Sequence, residues 1–223
     1  MMVTVAVLGG TGKEGSGLAM RWAQSGYRVI IGSRDAERAA SKAAEFNGIL
    51  GDTLIEGVHN KEAATRADIV VLTVPYDAHK ATLESVQSEV QGKILVDVTV
   101  PMQPPDFRKV FVPEGKAAAL ETQAIVGAGV KVVSAFQNVS AVHLKKLEHE
   151  VACDVLVTGD DEDAKTHVIH LVEAAGMRGV DAGPLANAVA AEALTPVLLY
   201  INKKYSVKGA GIHITGIAPS VAE

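Results

Sequence analysis

A glycine-rich turn between a strand and a helix constrains this chain more than any other feature. The strand-like run 3–8 leads into Gly-Gly-Thr-Gly-Lys-Glu-Gly at residues 9–15, and a helix-like segment follows. Gly10, Gly12 and Gly15 have the G-x-G-x-x-G spacing in the strand–turn–helix context that a dinucleotide-binding turn requires. The first glycine permits a tight turn, the second lets a pyrophosphate approach the backbone, and the third allows close helix packing. The motif predicts a Rossmann-type nucleotide site.

The residues of this turn are the candidates for binding the pyrophosphate. Backbone N–H groups at the start of a helix have no partner within the helix, and they bind phosphate oxygens readily. We expect the dinucleotide to contact Gly10, Thr11, Gly12, Lys13, Glu14 and Gly15.

The end of the second predicted strand indicates which dinucleotide binds. NAD sites usually carry Asp or Glu there, and the carboxylate binds the ribose 2′-hydroxyl. In this chain the position holds Ser33 and Arg34, with Arg38 one helical turn further on. A hydroxyl and guanidinium groups suit a 2′-phosphate, because Arg offers planar bidentate donors to phosphate oxygens. Either Arg alone would be an ordinary surface charge, but their position predicts NADP(H).

The alternation of strand-like and helix-like segments predicts an α/β protein. We expect a Rossmann doubly wound, mostly parallel sheet with a small helical C-terminal part. Residues 1–181 form the predicted NADP-binding domain and 182–223 the C-terminal part, with a buried helix from residue 185. Strands are expected at 3–8, 27–31, 54–58, 69–74, 94–98, 130–135, 155–158 and 177–181, and a helix at 141–148.

Composition excludes several classes of protein. The 223 residues carry a formal net charge of -5, which argues against general attraction to nucleic acid. Cys153 is the only cysteine, so an internal disulfide is excluded and a reducing cytosol is expected. It lies in the apolar run 151–157, where a core role is expected. No secretory signal and no uninterrupted apolar run of about 18 residues is visible, so neither export nor a membrane span is expected.

Few groups at the predicted carboxyl ends of the strands titrate near neutral pH. The acidic cluster 160–163 starts a predicted helix, where acids are favoured, and capping explains it without a metal. A cleft so poor in acids and bases suits a reaction in which cofactors do the chemistry and the protein aligns them. We therefore expect no catalytic side chain and no metal.

Several motifs together resemble those of the NADPH-dependent coenzyme F420 reductases, and the resemblance covers nearly the whole chain. The two most specific are Asp-Ala-Gly-Pro-Leu and Leu-Thr-Pro. The resemblance implies reversible hydride transfer between NADP(H) and the 8-hydroxy-5-deazaflavin coenzyme F420, in a homodimer whose C-terminal part completes the deazaflavin pocket. The motifs that carry it are Gly9–Gly12, Gly32–Arg34, Val71–Pro75, Val132–Ala135, Asp181–Leu185 and Leu194–Pro196.

The resemblance also implies roles for single residues. Tyr76, Val100 and Ala141 match positions that line the NADP site beyond the phosphates. Archaeal members carry a histidine at the position of Gln137, and glutamine keeps the hydrogen-bonding capacity but cannot become a cation near pH 7. The deazaflavin is expected to contact Gln137, Val139, Thr195 and Ala210. Charge alone, and not the resemblance, indicates that Lys203, Lys204 and Lys208 steer its acidic tail; the alternative is that they form a solvated helix end.

Two other functions remain open from the sequence. One is an NADPH-dependent reductase of another small acceptor, similar to the cytosolic module of ferric reductases or to pyrroline-carboxylate and imine reductases. The other is a non-enzymatic NADP-sensing module, which the scarcity of titratable groups would suit.

Overall fold

The computed structural model of this chain describes residues 3–148 and 150–217. Residues 1–2, 149 and 218–223 of the two predicted parts lie outside the described residues. Within them the strands are β1 Thr4–Leu8, β2 Arg28–Ser33, β3 Ile55–His59, β4 Ile69–Leu72, β5 Ile94–Asp97, β6 Lys131–Ser134, β7 Asp154–Gly159 and β8 Arg178–Asp181.

These strands form one sheet in the order β3-β2-β1-β4-β5-β6-β7-β8. Every neighbouring pair is parallel except β6 and β7, which are antiparallel. The strand order reverses between β1 and β4, and ligands of such sheets bind outside the carboxyl ends of the strands at that point. The predicted Rossmann doubly wound fold is confirmed.

Helices cover both faces of the sheet. Along β1, Val5 and Val7 belong to one buried apolar cluster and Ala6 and Leu8 to another, because successive side chains of a strand point to opposite faces. The helices are α1 Lys13–Gln24, α2 Ala36–Leu50, α3 Asn60–Arg66, α4 Tyr76–Val86, α5 Ala118–Val126, α6 Ala141–Leu144, α7 Glu162–Ala174 and α8 Ala188–Lys204, with a 3₁₀ turn at Leu185–Asn187.

The structure differs from the sequence prediction at the end of α6 and at the start of β7. The helix expected at 141–148 ends at Leu144, because the Leu144 and Lys146 carbonyls accept hydrogen bonds from the buried Arg21 guanidinium at 2.9 and 2.7 Å. The strand predicted at 155–158 spans Asp154–Gly159, and Cys153 lies just before it, where its N–H donates to the Val151 carbonyl in a tight turn. The Cys153 side chain is buried, as expected.

Helix α8 is less buried than the sequence suggested. Within Leu185–Lys204, only 33% of the most apolar 18-residue stretch is buried, because α8 contacts the rest of the fold mainly through α5 and the 3₁₀ turn. The segment Leu185–Lys204 is long and apolar enough to span a membrane, a test that core helices of soluble proteins also pass. Its firmest anchor is Glu192, whose buried carboxylate accepts from the Ala118 and Ala119 N–H groups at 2.7 and 3.0 Å and so caps α5.

Candidate functional site

The glycine turn after β1 leaves open space at the start of α1. A Cβ on Gly12 would meet only the Gly9 carbonyl oxygen, at 3.2 Å, whereas a Cβ on Gly15 would lie 2.4 Å from Thr73 Oγ1. The left-handed φ of 78° belongs to Gly9, so the tight turn is made there and not at Gly10 as expected. Gly10 instead permits close packing against Ile31, since a Cβ on Gly10 would lie 2.8 Å from the Ile31 side chain.

Gly12 is the N-cap of α1 and offers no side chain to cap it. The N–H groups of Lys13, Glu14 and Gly15 therefore have no acceptor within the helix and face a possible ligand. Thr11, Gly12 and Lys13 line a cavity of about 330 Å³, which Lys145 and the ion pair of Lys42 with Glu45 also border. The cavity offers both backbone donors and positive charge, and this combination suits phosphate groups.

The side chain of Glu14 is half-buried, between the exposed Lys13 and the buried Gly15. Its Oε1 atom is buried and has no hydrogen-bond partner among the described residues. Burial raises the pKa of Glu14 to about 8, because the charged form loses its hydration. At neutral pH this carboxyl is mostly uncharged, so it does not repel a pyrophosphate bound to the same turn.

The three residues expected at the 2′-phosphate gather at the end of β2. Ser33 is the last residue of the strand, and Arg34 and Arg38 are exposed around the start of α2. The Asp35 carboxylate, which could be mistaken for an NAD-type acid, accepts from the Arg38 N–H at 3.1 Å and caps α2. The Asp35 carboxylate therefore caps α2 and does not serve as the acid that binds a ribose 2′-hydroxyl in NAD sites.

A cavity of about 470 Å³ adjoins these residues, and sequence reasoning identified only one of its wall residues. His59 lies opposite Ser33 in the register of β2 and β3, so strand order brings it beside Arg34. That signal appears only once β3 is known to pair with β2. The lining residues are Arg34, His59, Asn60, Pro75, Asp77, Ala78, Ala81, Thr82 and Ser85.

Tyr76 and Val100 follow β4 and β5 on the same edge of the sheet. Tyr76 begins α4, and its hydroxyl donates to Glu121 Oε2 at 2.9 Å. Burial and this carboxylate raise the pKa of Tyr76 to about 12, so the phenol stays protonated. Val100 and Ala141 are each half-buried, one after β5 and the other at the start of α6.

A buried polar network that the sequence did not reveal lies beneath this edge. His79 Nε2 is 2.9 Å from Asp97 Oδ2 and 2.8 Å from Thr122 Oγ1, and Asp97 Oδ1 accepts from the Thr99 N–H at 2.8 Å. Burial raises the pKa of Asp97, but the hydrogen bonds from His79, Thr122 and Thr99 outweigh burial and hold the pKa below its usual value. The network fixes the backbone that leads to Val100.

The same aspartate orients Gln137, one of the expected deazaflavin contacts. Gln137 is 4% exposed, and its Nε2 donates to the Asp97 carbonyl at 2.7 Å and to Ser134 Oγ at 2.8 Å. Its Oε1 is buried without a partner among the described residues, so one acceptor remains available. The preceding Phe136 has a φ of 75°, an uncommon conformation for a non-glycine residue, and this sharp turn places Gln137.

The structure brings two of the four expected deazaflavin contacts together directly. Thr195 Oγ1 on α8 donates to the Gln137 carbonyl at 2.6 Å, and Val139 is buried two residues further on. Ala210 lies instead in a cavity of about 270 Å³ that Ser140 also lines. Its N–H donates to Asn202 Oδ1, which holds the C-terminal segment to the end of α8.

Within the described residues, the structure contains no group of three or more His, Cys, Asp or Glu side chains that could hold a metal ion. The acidic cluster after β7 acts as expected in capping. Asp161 Oδ1 accepts from the Ala164 N–H at 2.8 Å at the start of α7, and Asp160 Oδ1 accepts from the Leu185 N–H at 2.9 Å.

Comparison with known proteins agrees with this arrangement. A family model described as NADP oxidoreductase coenzyme F420-dependent matches residues 4–101. The F420-dependent NADP reductase of Methanothermobacter thermautotrophicus is 41% identical over 97% of this chain and 97% of its own. That of Methanocaldococcus jannaschii is 42% identical over 96% of this chain and 98% of its own.

Among solved structures, a hypothetical protein from Sinorhizobium meliloti aligns with a TM-score of 0.69 and 27% identity. The alignment covers 83% of this chain and 87% of that protein. The full-length similarity to the two archaeal enzymes carries the stronger conclusion, because it includes the C-terminal segment as well as the Rossmann fold. This chain belongs to the family of F420-dependent NADP reductases.

Proposed function

We propose that this chain is an oxidoreductase that transfers a hydride reversibly between NADP(H) and coenzyme F420. One observation carries the proposal: an uncapped glycine turn after β1 and the Gln137–Thr195 contact after β6 share the carboxyl edge of one sheet. Relatives that are 41% and 42% identical over nearly the full chain are named for this activity. These observations support a site for two substrates.

The residues present fit the dinucleotide. The space beside Gly12 is the cradle that a Cβ would fill, and the free N–H groups of α1 point into it. We assign the pyrophosphate to residues 10–15 and the 2′-phosphate to Ser33, Arg34 and Arg38. The cavity beside Arg34 takes the adenosine, and Tyr76, Val100 and Ala141 line the site toward the nicotinamide.

We assign the deazaflavin to Gln137, Val139 and Thr195 after β6, and to Ala210 in the cavity that Ser140 also lines. When both are bound, the nicotinamide and deazaflavin rings supply the hydride donor and acceptor. The protein holds the rings in register, and such alignment can supply roughly 7–11 kcal/mol of the barrier reduction. Gln137 keeps one buried acceptor for a ring N–H, and Thr195 fixes the backbone of Gln137. Reduction of the deazaflavin by a hydride also takes up one proton, which solvent supplies, so no side chain is required to move it.

The proposal also covers the role of the C-terminal part, the oligomeric state and the location of the protein. We assign residues 182–223 to completing the deazaflavin pocket and to contacting a second copy in a homodimer. Exposed apolar side chains near the C-terminal end of the fold support that contact, since apolar surface left open favours association. The single buried thiol supports a cytoplasmic location. The apolar residues are Val142, Val197, Tyr205, Val207 and Ile217.

The test is anaerobic mixing of the protein with F420 and stereospecifically deuterated NADPH. We expect the deazaflavin absorbance to fall and mass spectrometry to find the label on the reduced deazaflavin. Ferric chelate and a cyclic imine serve as parallel acceptors. Reduction of one of these in place of F420 would support the other reductases, and NADPH binding without oxidation would support a sensor. Wash-out of the label to solvent would contradict direct transfer.

A further inference from the structure

A cavity of about 440 Å³ with a cationic wall lies between the loop after β5 and the C-terminal end of α8. Arg108 comes from the loop, and Lys203 and Lys204 from the last turn of the helix. Asp106 and the ring of Tyr200 complete the lining. Three cationic side chains and one carboxylate give the wall a net positive charge, although the whole chain carries -5.

Much of this positive charge is available to a ligand. Arg108 Nε donates to Asp106 Oδ1 at 2.7 Å, and this contact lowers the pKa of the Asp106 carboxyl. The terminal guanidinium nitrogens of Arg108 have no acceptor in the described part of the chain. Lys203 and Lys204 likewise have no acidic partner within residues 3–148 and 150–217. An anion entering the cavity therefore meets unneutralised donors.

A solvated helix end does not account for the whole cluster. Lysines in the last turn are favoured by the helix dipole, and this explains Lys203 and Lys204 on their own. It does not explain why Arg108, from a separate loop, lines the same cavity. Two elements that converge their cations on one cavity of this size indicate a binding site for an extended anion.

The position of the cavity identifies the anion. Helix α8 also carries Thr195, which contacts Gln137 in the redox pocket. From residue 195 to residue 203 the helix rises by about 12 Å. Coenzyme F420 carries a phosphodiester and carboxylates on a ribityl chain, which can bridge such a separation. We infer that Arg108, Lys203 and Lys204 bind the acidic tail of the deazaflavin, an inference that rests on the proposed function.

Substrates with and without the tail test this site. The catalytic efficiency kcat/KM is measured with NADPH for F420 and for the deazaflavin that ends at the ribityl chain and has no acidic tail. The value for F420 is then divided by the value for the tail-less compound. In Arg108→Gln and in Lys204→Gln we expect the ratio to fall by about tenfold at low salt, since one charge-assisted contact is lost. The loss should shrink as salt rises.

Lys80→Gln is the matched control, because it removes one positive charge from the exposed face of α4. The inference would be overturned if the ratio stayed unchanged in Arg108→Gln and Lys204→Gln, or if it fell equally in Lys80→Gln. Binding followed by deazaflavin fluorescence gives the same ratio without turnover. If wild-type protein oxidised NADPH with neither deazaflavin, the proposed function would fail, and the binding ratio would still decide whether the cavity holds an acidic tail.

Discussion

Thr195 Oγ1 donates a hydrogen bond of 2.6 Å to the backbone carbonyl of Gln137, a residue 58 positions earlier in the chain. Gln137 follows the last parallel strand of the Rossmann sheet, and Thr195 lies in the C-terminal helix. This contact therefore joins the two parts of the fold at the pocket assigned to the deazaflavin. It fixes the turn that begins at the strained Phe136.

Removal of this hydroxyl tests the contact. Thr195→Val keeps the side-chain shape but leaves the Gln137 carbonyl unpaired, which costs about 1–3 kcal/mol for a buried group. We expect kcat/KM for the deazaflavin to fall about tenfold or more, with NADPH affinity unchanged by calorimetry. Thr166→Val is the matched control, since Thr166 Oγ1 donates to the Glu162 carbonyl on the exposed face of α7. Equal losses in both variants would contradict a specific role.

Cofactor choice depends on Arg34. Charge-assisted hydrogen bonds contribute roughly 1.5–3 kcal/mol, which corresponds to about a ten- to hundredfold change in affinity. Arg34→Ala should weaken NADPH binding by that factor and leave NADH nearly unchanged in calorimetric titrations. Arg28→Ala, at the other end of β2, is the control. An equal loss for both cofactors would contradict the 2′-phosphate assignment.

The open space beside Gly12 predicts a variant that folds but cannot bind. The backbone at Gly12 has a φ of -77°, which any residue adopts, and an added Cβ would lie 3.2 Å from the Gly9 carbonyl oxygen, a tight contact that a shift of a few tenths of an ångström relieves. Gly12→Val would fill the cradle, and we expect NADPH binding to disappear while the circular dichroism spectrum and Tm stay close to wild type. Gly48→Val adds the same side chain where nothing lies within 4 Å. Retained affinity in Gly12→Val would place the phosphates elsewhere.

Glu14 predicts a pH-dependent loss of stability. Burial raises its pKa from 4.5 to about 8 in the folded chain, so the unfolded chain loses its proton first as the pH rises. The stability that the protonated form provides is complete below about pH 4.5 and declines up to about pH 8. With about 1.4 kcal/mol for each pKa unit, Glu14→Gln should gain roughly 2 kcal/mol or more over wild type between pH 5 and pH 8.

Urea denaturation at pH 5, 6.5 and 8 measures this gain. Glu37→Gln changes an exposed acid in the first turn of α2 and is the matched control, for which we expect parallel curves. If wild type and Glu14→Gln also lose stability in parallel across this range, Glu14 is ionised in the folded protein and the burial argument is wrong.

Most of the predictions made from the sequence depend on patterns within a short stretch of the chain. Strand and helix periodicity gave the sheet, and the glycine spacing gave the phosphate turn. Ser33 and Arg34 were predicted as site residues because they stand at the end of the second strand. The Asp97–His79–Thr122 network was missed, because its members come from three elements and meet only when α4, β5 and α5 pack together. No periodicity encodes such a contact.

Other differences have the same origin. The end of α6 is set by the Arg21 guanidinium, which lies more than a hundred residues away in the chain. His59 lines the cavity beside Arg34 because β3 pairs with β2. The sequence predicted Glu14 as a phosphate contact in the glycine turn, whereas the structure places it in the first turn of α1 with Oε1 buried. In each case long-range contacts decided what local propensity left open.

The cap that Glu192 provides to α5 has a consequence for how such enzymes diversify. Two buried N–H groups of the nucleotide-binding fold depend on a carboxylate supplied by the C-terminal segment. A lineage could exchange this segment for one that binds another hydride acceptor. The Ala118 and Ala119 N–H groups would then be unpaired, unless the new segment carried an acid at the position of Glu192. The two parts are therefore inherited together, because the folded state of one depends on a residue of the other. New acceptors are more readily gained by substitutions around α8 than by recombination at its boundary.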